Sequence, residues 1–291
     1  MTPETPAVDI EILGVDAFVQ LTVDRGTEVI VIGYYEEPYL RIRPDGTVEE
    51  NTNSPTGAQN ESRYGTPPAE ANVGTGSEIA ERLPQWERIG SGGTYAWHDH
   101  RSHWMLESKP NGKRAGDIVV DDVIPLEVDG TPVDVRVVSV LQSAPSRLPV
   151  FGGAIIGLFG VLILWSTRNR IAWLLVPVAA AAGAIGWWQF NSLPASTQPS
   201  ATWYLLPAIA AGSAVIALPF GRSLISSGLV MLAAIELGTW CYLRREGLVR
   251  ALIPSDAPGW LDRGVTAGAA VVAVLAVLAS GLYLLRGPTV S

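Results

Sequence analysis

Two hydrophobic patterns meet near Leu148. Before it, short Val-, Ile- and Tyr-rich runs alternate apolar with polar positions: Val8–Leu13, Phe18–Val23, Glu28–Tyr34 and Tyr39–Arg43, separated by Gly, Asp and Pro. A period of two sends successive side chains to opposite faces, so each run predicts a strand with one face on a core. Val123–Val128 and Val133–Leu141 flank Asp129-Gly130-Thr131-Pro132, which predicts a hairpin. In its second arm Val133, Val135 and Val137 alternate with Asp134 and Arg136, as expected of a strand with one wet face. Such spacing suits a sandwich or barrel. Residues 51–85, rich in Asn, Ser, Thr, Gly, Pro and Glu, show no comparable period. They are expected to form a long loop over the sandwich, ordered by Tyr64 and Trp86.

After Leu148 the apolar runs lengthen to about 149–166, 171–190, 202–220, 224–243 and 264–285, each near the ~20 residues that cross ~30 Å of hydrocarbon. Trp187, Trp188 and Trp203 stand at segment ends, where an indole favours the boundary of lipid and water. Glycines four apart, Gly153/Gly157 and Gly264/Gly268, are placed to let helix backbones approach closely. The expected fold is an all-β, sandwich-like domain over 1–147 followed by an all-α transmembrane domain of about five helices over 148–291.

Charge follows the same division. Residues 1–147 hold 12 Lys/Arg against 24 Asp/Glu, and residues 148–291 hold 8 against 4, which together make the chain's net −8. An acidic front domain without basic clusters has nothing to offer a phosphate backbone, so nucleic acid is excluded as a partner and the lipid bilayer is expected. The single cysteine, Cys241, lies in an apolar run, which excludes an intrachain disulfide and a CxxC site. Any metal site must therefore use nitrogen and oxygen.

All three histidines fall within six positions, in Tyr95-Ala96-Trp97-His98-Asp99-His100-Arg101-Ser102-His103-Trp104-Met105. If the strand continues to His100, His98 and His100 share a face, and a turn after Arg101 returns His103 to complete a three-nitrogen set. Without thiolate that set suits Cu(II) or Zn(II), with Asp99 and Arg101 behind the ligands. Because neutral imidazole is the ligand, affinity should fall below the ring's ordinary pKa of about 6.5. The other reading is a structural network in which Asp99 pairs with Arg101 or Arg41 and the histidines satisfy buried carbonyls. No nucleophile–base set, paired acid spacing or phosphate loop emerges, so catalysis is the weakest expectation.

The series Glu37-Pro38-Tyr39-Leu40-Arg41-Ile42-Arg43-Pro44-Asp45-Gly46, then Glu50-Asn51-Thr52-Asn53-Ser54-Pro55-Thr56, Trp86-Glu87-Arg88 and Trp97-His98-Asp99-His100-Arg101-Ser102-His103-Trp104-Met105, resembles a family of actinobacterial envelope membrane proteins. The resemblance spans about residues 8–141. It implies a signal peptide, an extracytoplasmic β domain and C-terminal membrane helices, and it implies no activity. No charged and then apolar leader precedes residue 30, which leaves a removed leader or a cytoplasmic front domain. Loop charges are balanced between the two orientations, so it is the resemblance that favours the exterior and a multi-pass protein of the cell membrane.

Glu236 is the one ionisable residue well inside an expected span. It is a candidate proton or cation ligand facing the bundle interior, or else a neutral acid bonded to a helix carbonyl, Ser213, Ser226 or Thr239. Two functions are expected to compete. One is a membrane-anchored envelope module that binds copper or zinc through His98, His100 and His103. The other is a structural or assembly protein in which those histidines are a buried brace and the β domain binds another envelope protein or a cell-wall component.

Overall fold

The computed structural model describes residues 1–63, 78–79, 82–106, 108–166, 171–221 and 223–286. Tyr64, expected to order the long loop, lies outside them. The chain forms two compact units, Met1–Ser143 with Pro194–Gln198, and Ala144–Leu193 with Pro199–Ser291.

The first unit is all-β. Its strands are β1 (Val8–Leu13), β2 (Phe18–Val23), β3 (Val29–Ile32), β4 (Pro38–Ile42), β5 (Val48–Asn51), β6 (Trp86–Gly90), β7 (Thr94–Trp97), β8 (Ile118–Val128) and β9 (Thr131–Val140). They form a three-stranded sheet in the order β1-β2-β7 and a six-stranded sheet in the order β6-β5-β4-β3-β8-β9, antiparallel throughout. One apolar cluster joins the sheets, with Val19, Leu21 and Val23 of β2 meeting Val29, Leu40, Ile124, Val133, Val135 and Val137 of the larger sheet. The alternation read from the sequence is the alternation of burial: in β9 the three valines are buried while Asp134 and Arg136 are exposed. Each fully buried Val, Leu or Ile contributes about 1.5–3 kcal/mol.

Differences from the expected elements have local causes. The β8–β9 turn is two residues, Asp129 and Gly130 at φ 47° and 76°, so β9 begins at Thr131 rather than Val133. Two positive φ values give a turn whose twist matches that of the strands. Strands β5 and β6 escaped the pattern because they are rich in charged residues, of which Glu49 is paired across the sheet. Arg41 pairs with Glu49 at 2.5 Å and lies 4.4 Å over the Trp86 ring. Within the segment expected to be a loop, Pro55–Asn60 forms a short helix, α1. Ser54 caps it by accepting from Thr56 N–H at 3.2 Å, and Pro55 occupies the first turn, where its missing N–H costs nothing.

The second unit is all-α: α2 (Leu148–Ser166), α3 (Ile171–Asn191), α4 (Thr202–Ala217), α5 (Leu224–Leu243) and α6 (Gly259–Arg286). Four of its helical stretches, from α3 onward, are long and apolar enough to cross a membrane; α2 offers a shorter apolar stretch, Leu148–Leu164. Helix α6 starts five residues before the expected span because its charged first turn is buried and satisfied. Asp262 pairs with Arg244, which also donates to Gln189, while Arg263 donates to the carbonyls of Gly247, Arg250 and Ala251.

The glycine pairs singled out in the sequence meet each other. A Cβ on Gly153 would run into the Gly264 backbone, and one on Gly157 would lie 2.6 Å from the Gly268 carbonyl oxygen. Gly157→Val should therefore push α2 off α6 and cost about 1–3 kcal/mol, read as a lower melting temperature of the purified protein in detergent. An unchanged melting temperature would show that the contact tolerates separation.

Candidate functional site

Strand β7 ends at Trp97, and Asp99 then caps a one-turn 3-10 helix, His100–Ser102, by accepting from Arg101 N–H at 3.0 Å. Ser102 closes the turn, its hydroxyl donating to the Asp99 carbonyl at 2.7 Å. The alternation expected to continue through His100 therefore stops at Trp97. It is the turn, beginning at His100 rather than after Arg101, that gathers the histidines. Their ring centroids stand 4.7 Å apart for His98 and His103, 5.3 Å for His98 and His100, and 6.0 Å for His100 and His103. His103 is 1% exposed, whereas His98 and His100 are half-buried.

Beneath the cluster lies a buried ion pair. Asp99, 0% exposed, accepts from the Trp97 indole at 2.9 Å and from Arg101 Nε and Nη2 at 2.9 and 2.8 Å. Arg101 also donates to the Ile32 carbonyl at 3.1 Å and lies 4.9 Å over the Tyr34 ring. Burial would raise the Asp99 pKa, but the bonds and charge of Arg101 together with the Trp97 bond outweigh it and hold the carboxyl below the usual range. Of the two pairings expected, Asp99 takes Arg101, and Arg41 belongs to Glu49. Neither Asp99 nor Arg101 bonds to an imidazole; Asp99 fixes the turn that carries them.

Several supporting residues were not anticipated. The His100 N–H donates to the Tyr34 hydroxyl at 2.8 Å, which donates to Asn60 Oδ1 at 2.5 Å, and the Tyr34 ring stacks on His100 at 5.6 Å. Tyr34 is held in turn by its N–H donating to Thr56 Oγ1 at 3.0 Å. The buried Glu37 carboxylate accepts from the Ser54 and Thr56 hydroxyls at 2.6 and 2.7 Å. The Ser54-Pro55 start signal of α1 was the available clue in the sequence.

The hydrogen bonds of the histidines are short of a proton. His98 Nδ1 lies 2.8 Å from the Ala17 carbonyl and His103 Nδ1 lies 3.0 Å from the Trp104 carbonyl. Carbonyls only accept, so both Nδ1 atoms carry hydrogen, and in neutral rings both Nε2 atoms then present lone pairs. Yet the two Nε2 atoms face each other at 2.9 Å. Either one ring carries its hydrogen on Nε2 and donates to the other, giving up the Nδ1 bond to its carbonyl, or both keep Nδ1–H and the two Nε2 lone pairs converge on a space that a cation would fill. Burial, with His103 beside it, pushes the His98 pKa down to about 4, and burial also lowers that of His103. His100 differs, its Nε2 lying 2.7 Å from the Ser62 carbonyl, which assigns the hydrogen to Nε2 and leaves Nδ1 bare.

Among the described residues, no group of three or more His, Cys, Asp or Glu is arranged to hold a metal ion. The site as it stands offers two converging nitrogens and a third ring nearby. Glu236, in α5, is half-buried and has no hydrogen-bond or ion-pair partner among the described residues, Ser213, Ser226 and Thr239 included. The chain matches no protein-family model, no curated protein and no solved structure.

Proposed function

We propose that this is a membrane-anchored metal-binding protein whose β domain, on the extracytoplasmic side, takes up Cu(II) or Zn(II) between His98 and His103, with His100 joining through Nδ1. The observation that carries the reading is the pair of facing Nε2 atoms, each on a ring whose Nδ1–H is held by a backbone carbonyl. That is the usual arrangement of ligating histidines, where the outer hydrogen bond fixes the tautomer and aims the lone pair at the metal. Water would complete the coordination sphere, reaching it past the half-buried His98 and His100. Supporting the anchorage are the four apolar helices of membrane length. Supporting the exterior placement is the resemblance to envelope proteins.

A second reading, the buried brace of an envelope assembly protein, draws on the burial of His103 and on the carbonyl partner of each ring. Metal analysis of the purified protein, followed by titration with Zn(II) and Cu(II), separates the two. One equivalent bound to the intact protein and none to the His98→Ala/His103→Ala variant is the expected result. A protein that takes up neither metal, and whose double variant unfolds, would establish the brace instead.

A further inference from the structure

Of the four edge strands of the two sheets, β1, β7, β6 and β9, two face a common groove of about 190 Å³, β1 from the small sheet and β9 from the large one. Its floor is core, with Val19, Val135 and Val137 buried; its rims carry Ile12 and Val138, exposed by 38% and 42%. Exposed apolar edges are templates for strand addition, which proteins ordinarily cover or blunt. The β9 edge already carries an isolated bridge at one end: Thr2 pairs antiparallel with Asp134 through two 2.8 Å hydrogen bonds. Beyond Asp134 that edge has no partner strand among the described residues.

We infer that the groove between β1 and β9 docks an extended peptide segment of a partner protein in which apolar and basic residues alternate. The partner strand runs antiparallel to β9, extending the line begun at Thr2 past Arg136 and Val138. Main-chain bonds to the edge supply affinity, and every second side chain drops into the apolar floor. The remaining side chains meet an acidic rim. Glu11 lines the groove, accepting from Gln20 at 2.6 Å; the exposed Asp9 stands two positions before it in β1 and the exposed Asp134 next to Val135 in β9, while Arg136, the cation among the lining residues, is held by two 2.7 Å bonds to Asp121. A second copy of this chain is a poorer occupant because each front domain brings its own excess of twelve negative charges. This inference is independent of the metal site.

The test uses the full-length protein in nonionic detergent and a fluorescent eight-residue peptide alternating Lys and Val, with an alternating Glu/Val peptide and a Lys-block/Val-block peptide as controls. The alternating Lys/Val peptide alone should bind, and it should slow amide exchange in residues 135–140. Glu11→Lys, a surface change that leaves the core intact, should weaken binding at least about fivefold. Val138→Pro, which removes an edge N–H, should abolish the protection. No binding at about 1 mM peptide, or equal binding of the controls, would overturn the inference. So would self-association of the protein that Val138→Pro abolishes, since the edge would then belong to a second copy.

Discussion

Asp99→Ala is expected to destabilise the β domain by about 3–5 kcal/mol, the largest effect of any single substitution considered for this protein. Loss of the carboxylate strands the Arg101 guanidinium, 11% exposed, without its counter-ion and removes the acceptor for the Trp97 indole. It also removes the cap of the turn that gathers the histidines. Against a total stability of roughly 5–15 kcal/mol, a shift of this size should be plain in urea unfolding followed by tryptophan fluorescence. The cost should lie mainly in the uncompensated charge, so Asp99→Ala combined with Arg101→Met should recover much of it. A double variant no more stable than Asp99→Ala would mean that the cap and the indole bond, rather than the ion pair, hold the turn.

Zn(II) is expected to raise the melting temperature of the protein at pH 7, and the rise should persist to about pH 5. At a hundredfold excess over Kd the stabilisation would be about 2.7 kcal/mol. From the sequence alone, protons would compete with metal below about pH 6.5. Burial of His98 moves that competition down to about 4. Without metal the same shift works against the fold in acid. The folded pKa lies below the unfolded value of about 6.5, so the unfolded chain binds the extra proton first; stability is complete above 6.5 and falls as pH drops toward 4. Allowing for the solvent that reaches the ring, the loss is on the order of 2 kcal/mol. In stronger acid, protonation of Asp99, whose carboxyl the Arg101 bonds hold below the usual range, adds to it. His98→Phe should flatten the slope between pH 6.5 and 4 and eliminate the response to Zn(II). A slope unchanged in that variant would place the titrating group elsewhere.

The sequence by itself determined the two solvents of this protein, because both periods are properties of single elements. Alternating apolar residues in β2 and β9 can bury one face only as strands, and long apolar runs such as α3 are stable only as helices in lipid. It also marked the glycines that let α2 approach α6, and it confined the candidate chemistry to eleven residues around His98. Tertiary structure decided what local pattern cannot encode. Strands β5 and β6 exist because Arg41 pairs with Glu49 and covers Trp86, partners contributed by different strands. The early start of α6 depends on Arg244, eighteen residues away, neutralising Asp262. At the site, a strand period would have put His98 and His100 on one face. The structure instead breaks the strand at Trp97, because Asp99 gains more from capping a turn and pairing with Arg101 than from extending β7. That break brings His103 Nε2 to His98 Nε2, while the carbonyls of Ala17 and Trp104 fix which nitrogen of each ring bears the proton. For His98 the hydrogen-bond direction is set by the Ala17 carbonyl, 81 residues away, and only the folded chain puts it there.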